Sequence, residues 1–398
     1  MLSSKVTARK AIALHKKLKG KILFGNKTHQ LKLKEIQLIY TPGVAAVSEA
    51  IFHHPDQKYV LTSKRNNVAI VTDGTRILGL GNIGPYAALP VMEGKAVLYR
   101  QFGGITAFPL CLNTTKKDQI IKTIQAVEPA FGAINLEDIE SPKVMEIAEE
   151  LERKISIPIF HDDRHGTSVV ALAALFNSLK LVKKQISSIK IVIAGAGSAG
   201  YGIASLLKFA GCKNIIVVDS VGAIYKGRAK NMNKYKKIIA DSTNFKKEKG
   251  VFVEIIKNAD VFIGVSGVKN MLTSGMIKTM NQDPIVFALT NPEPEVDPLI
   301  AKKAGVKIIA TGSYRFHNRV NNALVFPYLM RTILDQKIRK ISLGMLLATA
   351  KAIADTVTKK ELHYNRIIPD VGDKRLQKNI TLALKKFYKK YQKKNTYL

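Results

Sequence analysis

Two series of short apolar runs, separated by stretches of helical pattern, constrain this chain more than any other feature. The first series is 68–73 (VAIVTD), 105–112 (ITAFPLCL), 131–136 (FGAINL) and 157–160 (IPIF). The second is 189–195 (IKIVIAG), 214–220 (NIIVVDS), 260–266 (DVFIGVS), 284–290 (PIVFALT) and 306–312 (VKIIATG). Segments such as KKDQIIKTIQAV lie between the early runs, and HGTSVVALAALFNSLKLV separates the two series. Strands alternating with helices of about 10–15 residues form largely parallel sheets, so the fold class is α/β. A length of 398 residues accommodates two such domains. Ahead of them, a helix over 5–18 is expected to lead into a strand–loop stretch. The tail from about 338 reads as helices broken by a turn around 369–372.

Two of the runs end abruptly in adjacent carboxylates. Glu137 and Asp138 close AINLED, and Asp162 and Asp163 close IPIFHDD. Ligands of an open parallel sheet bind outside the carboxyl ends of its strands, so both pairs should point into one crevice. Crowded carboxylates repel unless a hard divalent cation sits among them, and oxygen-only ligation suits Mg²⁺ or Mn²⁺. Acids also favour helix N-termini, but two such pairs at strand ends make a metal the better reading. His161 and His165 flank the acids without zinc-site spacing, and are read as packing or supporting groups.

G-x-G-x-x-G occurs twice. Gly79-Leu-Gly81-Asn-Ile-Gly84 is followed at once by Pro85 and lacks a following strand that ends in an acid. Gly195-Ala-Gly197-Ser198-Ala199-Gly200 follows IKIVIA, opens YGIASLLKFAG and precedes a strand that ends at Asp219. That is the context a dinucleotide site requires: glycines for close approach to the pyrophosphate, and a carboxylate for the ribose hydroxyls. Asp219 favours NAD over NADP, because it would repel a 2′-phosphate. The architecture is then an N-terminal catalytic α/β domain, 1–160, and a C-terminal Rossmann-like doubly wound NAD-binding domain with helical tail, 161–398.

The formal net charge of +33 raises nucleic-acid binding. However, the lysines are dispersed over 16–21, 226–237, 246–249 and 383–394, without an RNA-binding or zinc-finger pattern. Solvated helix faces explain them better, and a positive field also attracts small dicarboxylates. Cys111 and Cys212 stand far from any C-x-x-C pattern and read as buried free thiols in a reducing cytoplasm.

Taken together, IYTPGVA (39–45), TDGTRILGLGNIGP (72–85), VMEGKAVLY (91–99), INLEDIESP (134–142), FHDDRHGT (160–167), AGAGSAG (194–200), LTNPEPE (289–295) and VNNALVFP (320–327) resemble the malic enzymes, particularly the short bacterial type. The resemblance implies oxidative decarboxylation of L-malate to pyruvate and CO₂ with reduction of NAD. By it, Lys95 is the general base and Tyr40 the proton donor to the enolate. Glu137, Asp138 and Asp163 are ligands of Mg²⁺ or Mn²⁺, and Asp162 is a supporting acid. Arg76 aligns with an arginine for the substrate carboxylate; Asn291 and Asn322 match amides that contact substrate or nicotinamide, with Asn321 beside them. The resemblance also implies a homodimer, and it leaves open whether Tyr40 and Lys95 act within their own subunit or across the interface. To act as base, Lys95 must lose its proton, and burial beside other positive charge would lower its pKa.

The chain departs from the family pattern in three places. ATGSYRFHNR (310–319) replaces an ATGRSD-type segment, Arg164 replaces a glutamine, and Thr106 stands where an acid is usual. Two other functions share some of these features: an oxaloacetate decarboxylase with weak hydride transfer, and a basic nucleic-acid-binding protein on a retired enzyme scaffold. The survival of Lys95 and four carboxylates argues against retirement.

Overall fold

The computed structural model describes residues 4–18, 21–22, 25, 31–313 and 316–395. Two sheets organise them. The first has the order β2-β1-β3-β4, from β1 (Asn67–Thr72), β2 (Thr106–Cys111), β3 (Ala133–Leu136) and β4 (Ile159–His161). All its pairings are parallel. Val68, Ala69, Ile70 and Val71 are wholly buried, as expected of a strand covered by helices on both faces. The chain leaves β1 towards β2 and returns to β3 on the other side, so the crevice of this sheet opens between β1 and β3.

The second sheet has the order β10-β9-β8-β5-β6-β7, from β5 (Lys190–Ala194), β6 (Asn214–Asp219), β7 (Gly222–Ala223), β8 (Val261–Gly264), β9 (Ile285–Ala288) and β10 (Ile308–Thr311). Only the β6–β7 pair is antiparallel. Its reversal of direction falls between β5 and β8, which places the loop after β5 at the mouth of the sheet.

Each of the nine apolar runs forms a strand. The expected strand–loop stretch after the first helix does not. From Leu33 onwards it is helical, with helices Leu33–Ile39 and Gly43–His53, while most of 19–30 lies outside the described residues. The helix Thr167–Val182 joins the two sheets. Together with the turn Asp162–Gly166 it is long and apolar enough to cross a membrane, yet most of it is buried inside the protein.

The tail does not stay with the second sheet. Helices Phe326–Asp335, Leu343–Thr356 and Arg375–Asn395 contribute to one core that also contains Val68, Ile70 and Met92 of the first sheet's side. A second crossing runs the other way. Tyr235, on helix Lys234–Ser242 of the cofactor half, is buried in the cluster formed by Ala69, Ile120, Met145 and Ile159. Beside it, Lys234 pairs with Glu149 at 2.5 Å.

Candidate active site

The acids stand where their strands end. Glu137 follows β3, and its N–H donates to the Val71 carbonyl (2.9 Å), which continues the sheet for one residue. Asp138 then adopts φ 50°, a left-handed conformation that Asp tolerates better than most residues. Its carbonyl accepts from the Arg76 N–H at 3.1 Å. Asp162 follows β4 and opens the wide turn 162–166 into helix Thr167–Val182.

Lys95 approaches from helix Gly84–Gly103 and is almost completely buried. Its Nζ lies 2.5 Å from Glu137 Oε2 and 3.0 Å from Asp162 Oδ1, and 4.4 Å from the centre of the Phe326 ring. Behind Glu137, the Tyr99 hydroxyl donates to Asn135 Oδ1 (2.7 Å) and Asn135 Nδ2 donates to Glu137 Oε2 (2.9 Å). Behind Asp162, Asn322 Nδ2 donates to Oδ2 at 2.6 Å. Both carboxylates are therefore fixed by side-chain amides, Asn135 fully buried and Asn322 partly so, as well as by the ammonium.

The electrostatics reverse one expectation. Burial pushes the Lys95 pKa down, but Asp162 and Glu137 outweigh it, and the net shift is upward. The lysine was expected beside positive charge; it stands between two carboxylates. The acids themselves are strained. Burial, with Asp162 adding repulsion, raises Glu137 well above its ordinary value. Burial and the nearby Asp163 raise Asp138 to about 7. Oxygen donors in this state suit a divalent cation, which would relieve the repulsion. As placed, however, they do not close around a point: among the described residues, no group of three or more His, Cys, Asp or Glu side chains is poised to hold a metal. Glu137 leans on Lys95 instead.

A cavity of about 630 Å³ gathers most of the candidates. Arg76, Lys95, all four acids, Asn291 and Asn322 line it, and Ala199 of the glycine fingerprint reaches its edge. A smaller, adjoining space of about 330 Å³ is lined by Arg76, Gly195, Gly197, Ala199 and Asp219. Arg76 thus borders both. Within the fingerprint loop, a Cβ on Gly200 would stand 1.9 Å from the Gly195 carbonyl oxygen. The Ser198 hydroxyl is buried without a hydrogen-bond partner among the described residues, as suits a loop that receives phosphate oxygens.

Tyr40 is the candidate the fold does not bring in. It terminates helix Leu33–Ile39, is 69% exposed and does not line the cavity.

Asp219 is in place, but not in the state expected. Its Oδ1 accepts from the Val221 N–H (3.0 Å) and Arg228 Nη1 (2.9 Å). Its Oδ2 accepts from Arg228 Nη2 (2.6 Å), Lys236 Nζ (2.8 Å) and Asn231 Nδ2 (3.2 Å). Burial opposes ionisation, but these partners outweigh it and hold the carboxyl at about 2. One negative charge facing two cations does not repel a phosphate, so the charge argument against NADP fails.

Of the departures, Thr106 opens β2 and so lies at the amino end of the sheet, away from the acids. The Arg164 guanidinium sits over the Tyr201 ring at 5.1 Å. In the segment 310–319, Asn318 is buried and donates to the Ile309 and Tyr364 carbonyls, while 314–315 lie outside the described residues.

Tyr99, Asn135, Phe326, Arg228 and Lys236 went unrecognised in the sequence. Asn135 alone carried a signal, as a polar residue inside the apolar run AINL.

Comparison with known proteins agrees with this geometry. Residues 18–152 match the malic enzyme N-terminal domain, and residues 165–387 the malic enzyme NAD-binding domain. The chain is 46% identical over 376 residues to a bifunctional malic/malolactic enzyme of Bacillus subtilis, covering 94% of this chain and 92% of that protein. It is 47% identical over 365 residues to an NAD-dependent malic enzyme of Geobacillus stearothermophilus, covering 92% and 76%. The crystal structure of an NAD-dependent malic enzyme from Thermotoga maritima superposes with a TM-score of 0.90 at 43% identity, covering 94% of this chain and 98% of that one.

Proposed function

The chain belongs to the malic enzyme family, and on that premise we propose that it oxidatively decarboxylates L-malate to pyruvate and CO₂ with reduction of NAD. The observation that carries this reading is the placement of Lys95 between Glu137 and Asp162, inside a cavity that reaches the fingerprint loop. The loop that would hold the hydride-accepting cofactor and the lysine that would accept the proton thereby face one space.

Arg76 and Asn291 orient the substrate carboxylates, a task suited to a guanidinium fork and an amide. Lys95 is the residue that would take the proton of the C2 hydroxyl, with Asp162 Oδ1, 3.0 Å from its Nζ, placed to receive the proton it must first give up; NAD held at the fingerprint loop would supply the hydride acceptor for C2. Loss of CO₂ leaves an enolate, which is protonated at C3. Glu137, Asp138 and Asp163 are the residues that would hold Mg²⁺ or Mn²⁺, whose Lewis acidity would stabilise the enolate oxygen.

Tyr40, the proton donor to C3 in this scheme, needs a second copy of the chain. Its own helix and the next two, Gly43–His53 and Lys58–Leu61, also expose Leu33, Leu38, Phe52 and Val60. An apolar patch of that kind marks an interface. A homodimer joined there would cover it and carry each Tyr40 to its partner's cavity. Two free cysteines, Cys111 and Cys212, suit a reducing cytoplasm.

The test is nicotinamide reduction by L-malate and Mn²⁺, with EDTA and Lys95→Ala as controls. Metal-dependent NADH formation is expected. Lys95→Ala should lose roughly 10²–10⁴-fold in kcat, the usual worth of a general base. Well-folded wild-type protein that reduces neither NAD nor NADP would refute the reading.

A further inference from the structure

The high positive charge is not spread evenly. A cavity of about 570 Å³ lies between the loop after helix Phe326–Asp335 and the C-terminal helix, and five cations line it: Lys337, Arg339, Lys340, Lys385 and Lys389. Among the described residues, no acidic side chain does. Asp335, the neighbouring acid in sequence, is occupied by Arg331 at 2.7 Å. Glu152 feels the charge of Lys340 without lining the cavity. Like charges assembled around a concavity repel one another, and an anion inside it relieves that repulsion.

Two further observations favour a built site over a chance gathering of lysines. Gln336 also lines the cavity, and its Nε2 is buried with no acceptor among the described residues. A buried donor of that kind is costly unless something accepts from it. The aromatic wall is anchored as well. The Phe387 ring packs on Gly344, where a Cβ would stand 2.6 Å from it. Tyr388 donates to Met345 Sδ at 2.7 Å, and the two rings meet edge to face at 5.4 Å.

We propose that this cavity binds a condensed phosphate chain, carried by a nucleoside triphosphate or present as inorganic polyphosphate. Its volume lies within the range of ordinary ligand pockets, about 300–1,000 Å³. Five cations match a compact anion of several charges. A nucleic acid requires a stripe along a face, whereas this charge is concave and local. A second copy docked here by two-fold symmetry would set the same cations against themselves. The site is separate from the catalytic cavity and stands at the opposite end of helix Phe326–Asp335 from Phe326.

The experiment is isothermal titration of the full-length protein with tripolyphosphate, in saturating NAD to fill the adenine pocket, without divalent metal and at constant ionic strength. One tripolyphosphate per chain is expected. Lys340→Ala/Lys385→Ala should weaken it at least about tenfold, while Lys302→Ala/Lys303→Ala, which removes equal charge elsewhere, changes it less than about twofold. Circular dichroism checks that both variants fold. ATP binding more tightly than tripolyphosphate assigns a nucleotide, with its base over Phe387 or Tyr388; equal binding assigns the bare chain. Equal weakening in the two double variants, several weak sites per chain, no binding, or tighter binding of a single-stranded oligonucleotide overturns the proposal. None of these readouts depends on malate turnover.

Discussion

Lys236→Ala tests what the surroundings of Asp219 do to cofactor choice. The Asp219 carboxylate accepts five hydrogen bonds, with Arg228, Lys236, Asn231 and the Val221 N–H as donors. An ionised carboxylate offers about four lone-pair sites, so little capacity remains for ribose hydroxyls. Lys236 and Asp219 both line the adjoining nucleotide space, and a 2′-phosphate there would meet the lysine. A hydrogen bond to a charged group contributes about 1.5–3 kcal/mol, equivalent to roughly 10–150-fold in affinity. Lys236→Ala should therefore lower kcat/KM for NADP by about 10–100-fold. For NAD the direction differs, because removing one donor from Oδ2 frees it to accept from the ribose; kcat/KM should hold within about threefold or rise. Initial rates with L-malate, Mn²⁺ and each cofactor measure both. An equal fall for the two cofactors would mean that the variant merely disturbs the loop. An unchanged NADP rate would refute the reasoning.

Gly200→Ala forces a methyl group against the Gly195 carbonyl, so NAD affinity by calorimetry should fall at least about tenfold; unaltered affinity would remove this loop from the cofactor site. Tyr99→Phe leaves buried Asn135 Oδ1 without its donor, and chemical denaturation should show a loss of about 1–3 kcal/mol. If Tyr40 acts across a dimer, Tyr40→Phe and Lys95→Ala proteins, each nearly inactive, should recover activity when unfolded together and reassembled. A mixture no more active than its components would leave Tyr40 without a role in the partner's cavity.

The strands and the acids were legible because both rest on local patterns. Runs such as VAIV and IKIVIA are apolar enough to be buried on both faces, and a carboxylate pair at a strand end needs no knowledge of the rest of the fold. The fingerprint was legible for the same reason, since GAGSAG between two strands specifies its own turn. What the sequence hid was mostly non-local. The Phe326 ring meets Lys95 from more than two hundred residues away, and Tyr99 reaches Asn135 across the first sheet. Burial beside other positive charge argued for a lowered Lys95 pKa; only the fold revealed that carboxylates surround it instead. Arg228 and Lys236 were read as part of a dispersed basic stretch, because nothing local says that they turn back onto Asp219. Helix 33–39 was missed in a segment whose apolar residues remain exposed, so no burial pattern marked it.

The buried ring of Tyr235 limits how this molecule can open. It belongs to the helix that carries Lys236, yet sits in the core beneath the first sheet, pinned at its edge by Lys234 and Glu149. Withdrawing an aromatic side chain of roughly 200 Å² from such a place would cost about 4–6 kcal/mol. Any parting of the two sheets must therefore uncover that ring, and must also break the close packing of Gly79 on Asn291 and Pro292. A cofactor beside Asp219 and a substrate beside Lys95 would thus meet in a cleft whose two walls are already held together.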